Sequence, residues 1–443
     1  MSRVLHRNLR IDPAIAVRGD GLLLRAAEGW EVIDASGGAA VACLGHGDRR
    51  VIQAITRQAE QLAYAHTVFF TCEVAEELAD LLVGHEPGGL ARAYFVSSGS
   101  EAMEAALKLS RQYFLEIGQP QRRHYIARRQ SYHGNTLGAL GLGGNMARRE
   151  PYVPILADCF SHVSPCFAYH GQGEDEGDDA YVARLADELD AEFQRLGPDR
   201  VVAFAAETMV GATTGCVAAL PGYFKALRAV CDRYGALLIL DEVMCGMGRT
   251  GTLHAWEQEG VAPDIQTIAK GLGGGYQPIG GILVGRKVVD ALSAGSGAFK
   301  HGHTYQAHPV ACAAALEVQR IISEDGLLPN VQAMGTRLEA ALVERFGNHA
   351  RVGDIRGRGL FWALEFVSDR SRRSPFDPAL HVNDRIKDAA LRHGIAIYPM
   401  GGTVDGTRGD HVIIAPPYVV EATSIDAIVD RLGAAVDEVM EAL

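Results

Sequence analysis

The chain predicts an α/β fold: a mainly parallel sheet covered by helices, followed by a smaller α+β unit. Three observations carry this. Through the middle of the chain, short β-rich apolar runs alternate with longer helical stretches, the order in which helices cover both faces of a parallel sheet. After about residue 325 that alternation gives way to a compact mixture of helices and strands. The length of 443 residues, with 48% hydrophobic and 22% charged side chains, suits two or three compact units better than one small core.

Taken in order, the first elements are two short strand-like pieces, 21–25 and 30–34, separated by a turn and followed by Gly-rich sequence. Residues 1–60 therefore read as a cover that packs with the small domain rather than as a core of their own. Residues 61–325 form the large domain, with strands expected at 94–97, 124–127, 201–206, 236–240, 265–269 and 280–284. Helices lie between them, at 101–117 closed by Gly118 and at 222–234 between Pro221 and Gly235. The acidic, Gly-rich stretch 171–179 reads as a surface loop. The paired arginines Arg122-Arg123 and Arg128-Arg129, and the loop arginines Arg370, Arg372 and Arg373, read as solvated faces. Residues 326–443 form the small domain, with helices at 331–346 and 384–393 and strands at 360–367, 395–398 and 411–414.

Composition removes several classes of function. A formal charge of −12 argues against a protein that tracks nucleic-acid phosphates. Eight cysteines at irregular spacing, with no C-x-x-C pair, indicate neither a zinc ribbon nor a disulfide scaffold and fit reduced thiols in the cytoplasm. No apolar stretch resembles a signal peptide or a membrane span. Leu238-Ile-Leu-Asp241-Glu242 has the form of a Walker-B strand, but no G-x-x-x-x-G-K-[ST] accompanies it. The Gly141 and Gly271 runs both fall short of G-x-G-x-x-G. His301, His303 and His308 share a loop, but no carboxylate or cysteine completes a metal site at ligand spacing.

The chemistry-bearing residues sit at strand ends. Lys270 closes the run Ile265-Gln-Thr-Ile-Ala and is followed at once by Gly-Leu-Gly-Gly-Gly, while Asp241 closes Ala236-Leu-Leu-Ile-Leu. An amine and a carboxylate at one sheet edge suit pyridoxal 5′-phosphate (PLP), whose aldehyde needs a lysine and whose ring nitrogen needs an acidic partner. Ser98-Gly99-Ser100-Glu101 follows a strand and opens a helix, where backbone N–H groups and the macrodipole favour a phosphate. Tyr132-His133-Gly134 offers an aromatic ring after another strand.

This constellation resembles the class III, or omega, aminotransferases of PLP fold type I. The motifs, in family order, are Ser98-Gly-Ser-Glu-Ala102, Tyr132-His-Gly134, Glu207, Asp241-Glu-Val243, Lys270-Gly-Leu, His303-Thr304, Arg356-Gly-x-Gly-Leu360 and Pro416-Pro417. The resemblance implies a large domain with a mainly parallel seven-stranded sheet and a smaller α+β domain. It implies that Lys270 and Asp241 are catalytic, Lys270 through a Schiff base and Asp241 at the ring nitrogen. Tyr132 and Val243 would sandwich the ring. Ser98, Gly99 and Ser100 would seat the phosphate, His133 and Glu207 would belong to the same cofactor site, and no metal is expected. Thr304 would reach the phosphate of a neighbouring subunit, which implies a homodimer with shared active sites, or a tetramer of two such dimers.

Departures from the family pattern narrow the substrate. Asn135 stands where ornithine- and GABA-type members carry arginine, and Ile413 aligns with their gating arginine. The motifs look more like the amine:pyruvate group, in which an arginine ahead of the Pro-Pro segment admits either a carboxylate or an apolar group; Arg408 is the candidate. Leu44, Phe69, Phe70 and Ala212 are the candidate pocket walls. The implied activity is transfer of an amino group from an amine or omega-amino acid to a keto acid such as pyruvate, by a ping-pong route. A racemase, epimerase or aminomutase on the same scaffold would use the same lysine and aspartate, whereas an inert scaffold would have no need of Lys270.

Overall fold

A computed structural model describes residues 2–443. Its centre is a seven-stranded sheet whose spatial order is Leu90–Val96, Gly280–Gly285, Ile265–Ile268, Leu237–Asp241, Val201–Glu207, His124–Arg128 and Phe160–Val163. Only Gly280–Gly285 runs against the others, since it is antiparallel to both of its neighbours. Val201–Glu207 and Leu237–Asp241 are buried at every position, as strands covered on both faces must be. Their side chains alternate between two cores. Phe204, Leu238 and Leu240 pack with the helices Asp178–Leu196 and Tyr223–Tyr234. Ala203, Ala205, Leu237 and Ile239 pack with the helix Gly99–Glu116 on the other face.

A third core joins the two ends of the chain. Ile33, Cys43, Leu44 and Val51 pack with Leu338, Leu342, Leu364, Ile414, Ile425 and Leu432. The strand Glu31–Asp34 also takes Ile395–Ala396 as a parallel neighbour, with Ile33 opposite Ile395. A second four-stranded sheet, ordered Val352–Arg358, Phe361–Phe366, Asp410–Ile414 and Tyr398–Gly401, packs into the same core. Among the described residues no helix is long and apolar enough to cross a membrane, and the eight cysteines are free thiols.

Several expectations need correction. The strand expected at 395–398 is two strands in two different sheets, broken at Ile397. The strands that went unseen include Val352–Arg358 and the short pair Met209–Val210 and Val217–Ala218, together with Ala16–Asp20, which is mostly exposed, and Phe160–Val163, a half-buried edge strand with Ser and His at its centre. Neither of the last two carries the apolar alternation that marks a strand in sequence. The loop expected at 171–179 is shorter, because Asp178 and Asp179 open a helix at the end where the macrodipole favours acidic groups. Arg122 and Arg128 are not solvated. Both are buried, Arg122 donating to the carbonyls of Val201 and Tyr234, and Arg128 to that of Glu207, so the two guanidiniums hold opposite ends of the strand Val201–Glu207.

Candidate functional site

One edge of the seven-stranded sheet collects the polar groups. The carboxyl ends of Leu90–Val96, Val201–Glu207, Leu237–Asp241 and Ile265–Ile268, with the amino end of the reversed Gly280–Gly285, open into a cavity of about 500 Å³. Parallel strands present their ends, and the turns that follow, at the same level, which is why ligand groups gather there. Register enforces the juxtaposition: Asp241 is the strand partner of both Glu207 and Thr267.

Lys270 lines this cavity just beyond its strand, in the left-handed region at φ 46°. A side chain there costs roughly 1–2 kcal/mol. The turn is held by the N–H groups of Gly273 and Gly274, which donate to the Lys270 carbonyl at 3.1 and 2.9 Å. Burial lowers the Lys270 amine to about 8, while the nearby carboxylates of Asp241 and Glu207 pull more weakly the other way. A buried amine that sheds its proton near neutral pH is a nucleophile.

Asp241 is the most highly bonded group in the site. Its carboxylate accepts the Val243 N–H at 3.0 Å, the Thr267 hydroxyl at 3.0 Å and the ring Nδ1–H of His133 at 2.8 Å. The other ring nitrogen of His133, Nε2, is buried with no partner in the protein. Glu207 accepts the N–H groups of Tyr132 and Gly211 at 3.0 and 2.9 Å, one on each oxygen, and burial pushes its carboxyl up. Glu242, between Asp241 and Val243 in sequence, turns into the core and is satisfied there by Thr208, Ala255, Trp256 and Gln266. Alternation along the strand decides which carboxylate meets the cavity.

The helix Gly99–Glu116 starts at the cavity wall. Ser98 caps it by accepting the Glu101 N–H at 3.2 Å, and Glu101 returns the bond to the Ser97 N–H at 2.7 Å. The first N–H groups of the helix, those of Gly99 and Ser100, have no intrahelical acceptor and face an end where the dipole favours an anion. Gly99 must be glycine, because a Cβ there would sit 2.9 Å from a Val243 methyl.

Ser98, Gly99, Ser100, Tyr132, His133, Glu207, Ala212, Asp241, Val243 and Lys270 thus share one cavity. Other expected residues do not. Leu44 is buried in the core that joins the chain ends; two left-handed glycines, Gly37 and Gly38, turn the preceding segment so that Ala39 and Val41 line the cavity instead. Arg408 lies outside. Asp405 accepts the backbone N–H groups of Thr407 and Arg408 and then the Arg408 guanidinium at 2.6 Å, closing the loop on itself. Phe69 and Phe70 are exposed and away from this cavity, and Thr304 is exposed with its carbonyl taking the Tyr64 hydroxyl at 3.1 Å.

Arg148 was not foreseen. It comes from the short helix Met146–Arg149, lines the cavity, and its guanidinium lies 4.7 Å from the centre of the Tyr132 ring. Its only sequence signal is a pair of arginines well downstream of the Tyr132 motif, of which Arg149 faces a different cavity.

The residues present fit PLP. A glycine cradle at a helix N-terminus suits a phosphate, a buried amine with a lowered proton affinity suits an aldehyde, and a triply bonded carboxylate suits a protonated ring nitrogen.

Known proteins agree with this. The sequence profile described as aminotransferase class-III matches residues 5–436. The chain is 51% identical over 431 residues to an uncharacterized aminotransferase of Schizosaccharomyces pombe, covering 97% of this chain and 94% of that one. It is 35% identical over 432 residues to the diaminobutyrate–2-oxoglutarate transaminase of Halomonas elongata, covering 96% and 90%. The fold superimposes with a TM-score of 0.93 on the omega transaminase of Pseudomonas jessenii in complex with PMP, at 31% identity and covering 100% and 97% of the two chains. With family, fold type I architecture and cofactor site in agreement, this chain belongs to the class III aminotransferases, which are PLP-dependent.

Proposed function

We propose that the enzyme moves an amino group from an amine or omega-amino acid to a keto acid such as pyruvate, in two half-reactions at one site. The observation that carries the reading is the wall of the cavity. Ala39, Val41, Met209, Ala212 and Met244 are apolar, and the position after Tyr132-His133-Gly134 holds Asn135, engaged with the Ser100 hydroxyl at 3.0 Å, in place of an arginine. Such a wall suits an amine with an apolar substituent better than a diacid.

Lys270, Asp241, Glu207, His133, Tyr132, Val243 and the Ser98–Ser100 turn would hold the cofactor. When bound, PLP supplies an electron sink for the bond to hydrogen at the amine-bearing carbon. Asp241 would keep the ring nitrogen protonated, and His133 and Thr267 hold Asp241 in place. Tyr132 and Val243, both on the cavity wall, would keep water from the ring. The Nζ of Lys270, with its proton affinity lowered to about 8, would carry the proton from the donor's amine-bearing carbon to the cofactor in the first half-reaction, and from the cofactor to the keto-acid carbon in the second.

Three further readings accompany this one. The exposed aromatic segment around Phe69 and Phe70, with Thr304 and Tyr305, supports a homodimer in which these residues complete a second copy's site. Free thiols support a cytoplasmic location. The core shared by the chain ends supports dividing the chain into 1–60, which packs with 326–443, and a cofactor-binding 61–325.

The test is a half-reaction screen. The purified holoenzyme should lose its visible-edge absorbance on addition of an amine donor and regain it with pyruvate, forming one alanine per amine consumed. Lys270→Ala should lower turnover by at least about a hundredfold, the usual weight of a positioned proton-transfer group. Inversion of an amino acid without consumption of keto acid would replace this reading with a racemase.

A further inference from the structure

We infer that Arg148 is the residue that recognises the carboxylate of the keto acid, an inference that rests on the transaminase reading above. The two half-reactions make opposite demands on one cavity: an amine with an apolar substituent must fit in the first, and a carboxylate in the second. The charged groups already at the floor, Asp241 and Glu207, repel a carboxylate. A cation must offset them, and it must be able to stand unpaired while the apolar substrate is bound.

The arginine expected for this task, Arg408, is closed onto Asp405. Arg249 is buried behind the site, with its Nη1 on the Leu360 and Pro416 carbonyls, and does not line the cavity. Lys270 is committed to proton transfer. Arg148 meets both demands. It is half-buried, lines the cavity, and among the described residues its guanidinium has neither a carboxylate partner nor a hydrogen-bond acceptor. It rests on the Tyr132 ring, with its central carbon 4.7 Å from the ring centre. Stacking satisfies the face of the guanidinium and leaves its N–H edge free for the two oxygens of a carboxylate. No ion pair has to break when the keto acid enters, and the cation stays on the ring when an apolar group takes its place.

The helix that carries Arg148 is fixed for this. Asn145 caps it by accepting the Arg148 N–H at 3.2 Å, and the adjacent Arg149 turns to a second cavity, where its Nε is buried. The rival cation is Arg7, an exposed residue of the N-terminal segment that also lines the cavity.

The test compares Arg148→Leu, Arg148→Lys and Arg7→Ala holoenzymes with the unaltered one. Each is assayed with pyruvate and, separately, in the half-reaction with an uncharged amine such as 1-phenylethylamine. Calorimetric titration with propanoate, an unreactive carboxylate, gives binding without turnover. In Arg148→Leu, kcat/KM for pyruvate should fall at least about tenfold further than kcat/KM for the amine, through KM, and propanoate binding should weaken about tenfold. Arg148→Lys, which keeps the charge but not the fork, should fall between. An unchanged KM for pyruvate, an equal loss with pyruvate and amine, or a KM effect in Arg7→Ala alone would each overturn the assignment. Failure of the underlying reading is distinct, since the unaltered enzyme would then form no alanine from pyruvate.

Discussion

Lys270 illustrates what burial does to a single residue. Its amine is lowered from 10.5 to about 8 by loss of solvent, so about a tenth is neutral at pH 7, where an ordinary lysine is almost wholly charged. The sign follows directly: the neutral form attacks an aldehyde, so cofactor capture by the cofactor-free protein should accelerate as pH rises through about 8 and level off above it. Stopped-flow absorbance after mixing with PLP measures this. A rate that continues to climb toward 10.5 would show an unperturbed lysine. Gly99 is the complementary case, a residue chosen for what it lacks, because any side chain would collide with Val243.

At the scale of elements, the cavity wall at Ala212 is backed by a buried network contributed by the C-terminal sheet. Arg356, on Val352–Arg358, donates to the Gly215 carbonyl at 2.6 Å and pairs with Asp354 and Glu365 at 2.7 and 2.8 Å. Glu365 is only 1% exposed and also meets His170 at 2.5 Å. His411, on Asp410–Ile414, is lowered by burial to about 3 and is neutral at physiological pH; its Nε2–H donates to the Ala212 carbonyl at 3.1 Å while Nδ1 accepts the Thr403 hydroxyl. The turn that carries Ala212 is thus clamped by residues of the C-terminal sheet, about 140 to 200 residues further along the chain. Arg356→Met should lower the free energy of unfolding by about 3–5 kcal/mol, because it leaves a buried carboxylate without its charge partner. Chemical denaturation checks this, with Arg356→Lys expected to lose less.

For the whole molecule, the exposed aromatics are the informative surface. Val68, Phe69, Phe70 and Tyr305 are between 57% and 75% exposed, an apolar patch that a solvated surface has no reason to keep. Sedimentation should find twice the 47.5 kDa of one chain. Phe69→Asp combined with Phe70→Asp should shift the protein to monomer and abolish activity in step with dissociation, whereas an active monomer would remove the shared-site reading.

The positions of Lys270, Asp241, Ser98, Gly99, Ser100 and Tyr132 were legible because each follows a short apolar run, and a parallel sheet brings the carboxyl ends of such runs to one edge. That logic is local, so the sequence by itself determined the α/β class, the cofactor chemistry and the residues at the strand ends. It did not determine which side chains of connecting segments face the cavity. Leu44 was turned into the core by two left-handed glycines, Arg408 was taken up by an aspartate three residues away, and Arg148 was aimed at Tyr132 by a four-residue helix without apolar periodicity. The split of 395–398 between two sheets had the same cause, since strand partners come from 31–34 and 410–414. Only the tertiary structure decided which residues of the connecting segments line the cavity. Strand ends are aligned by backbone hydrogen bonds that every sequence makes, whereas the direction of a loop side chain is set by contacts with residues far along the chain.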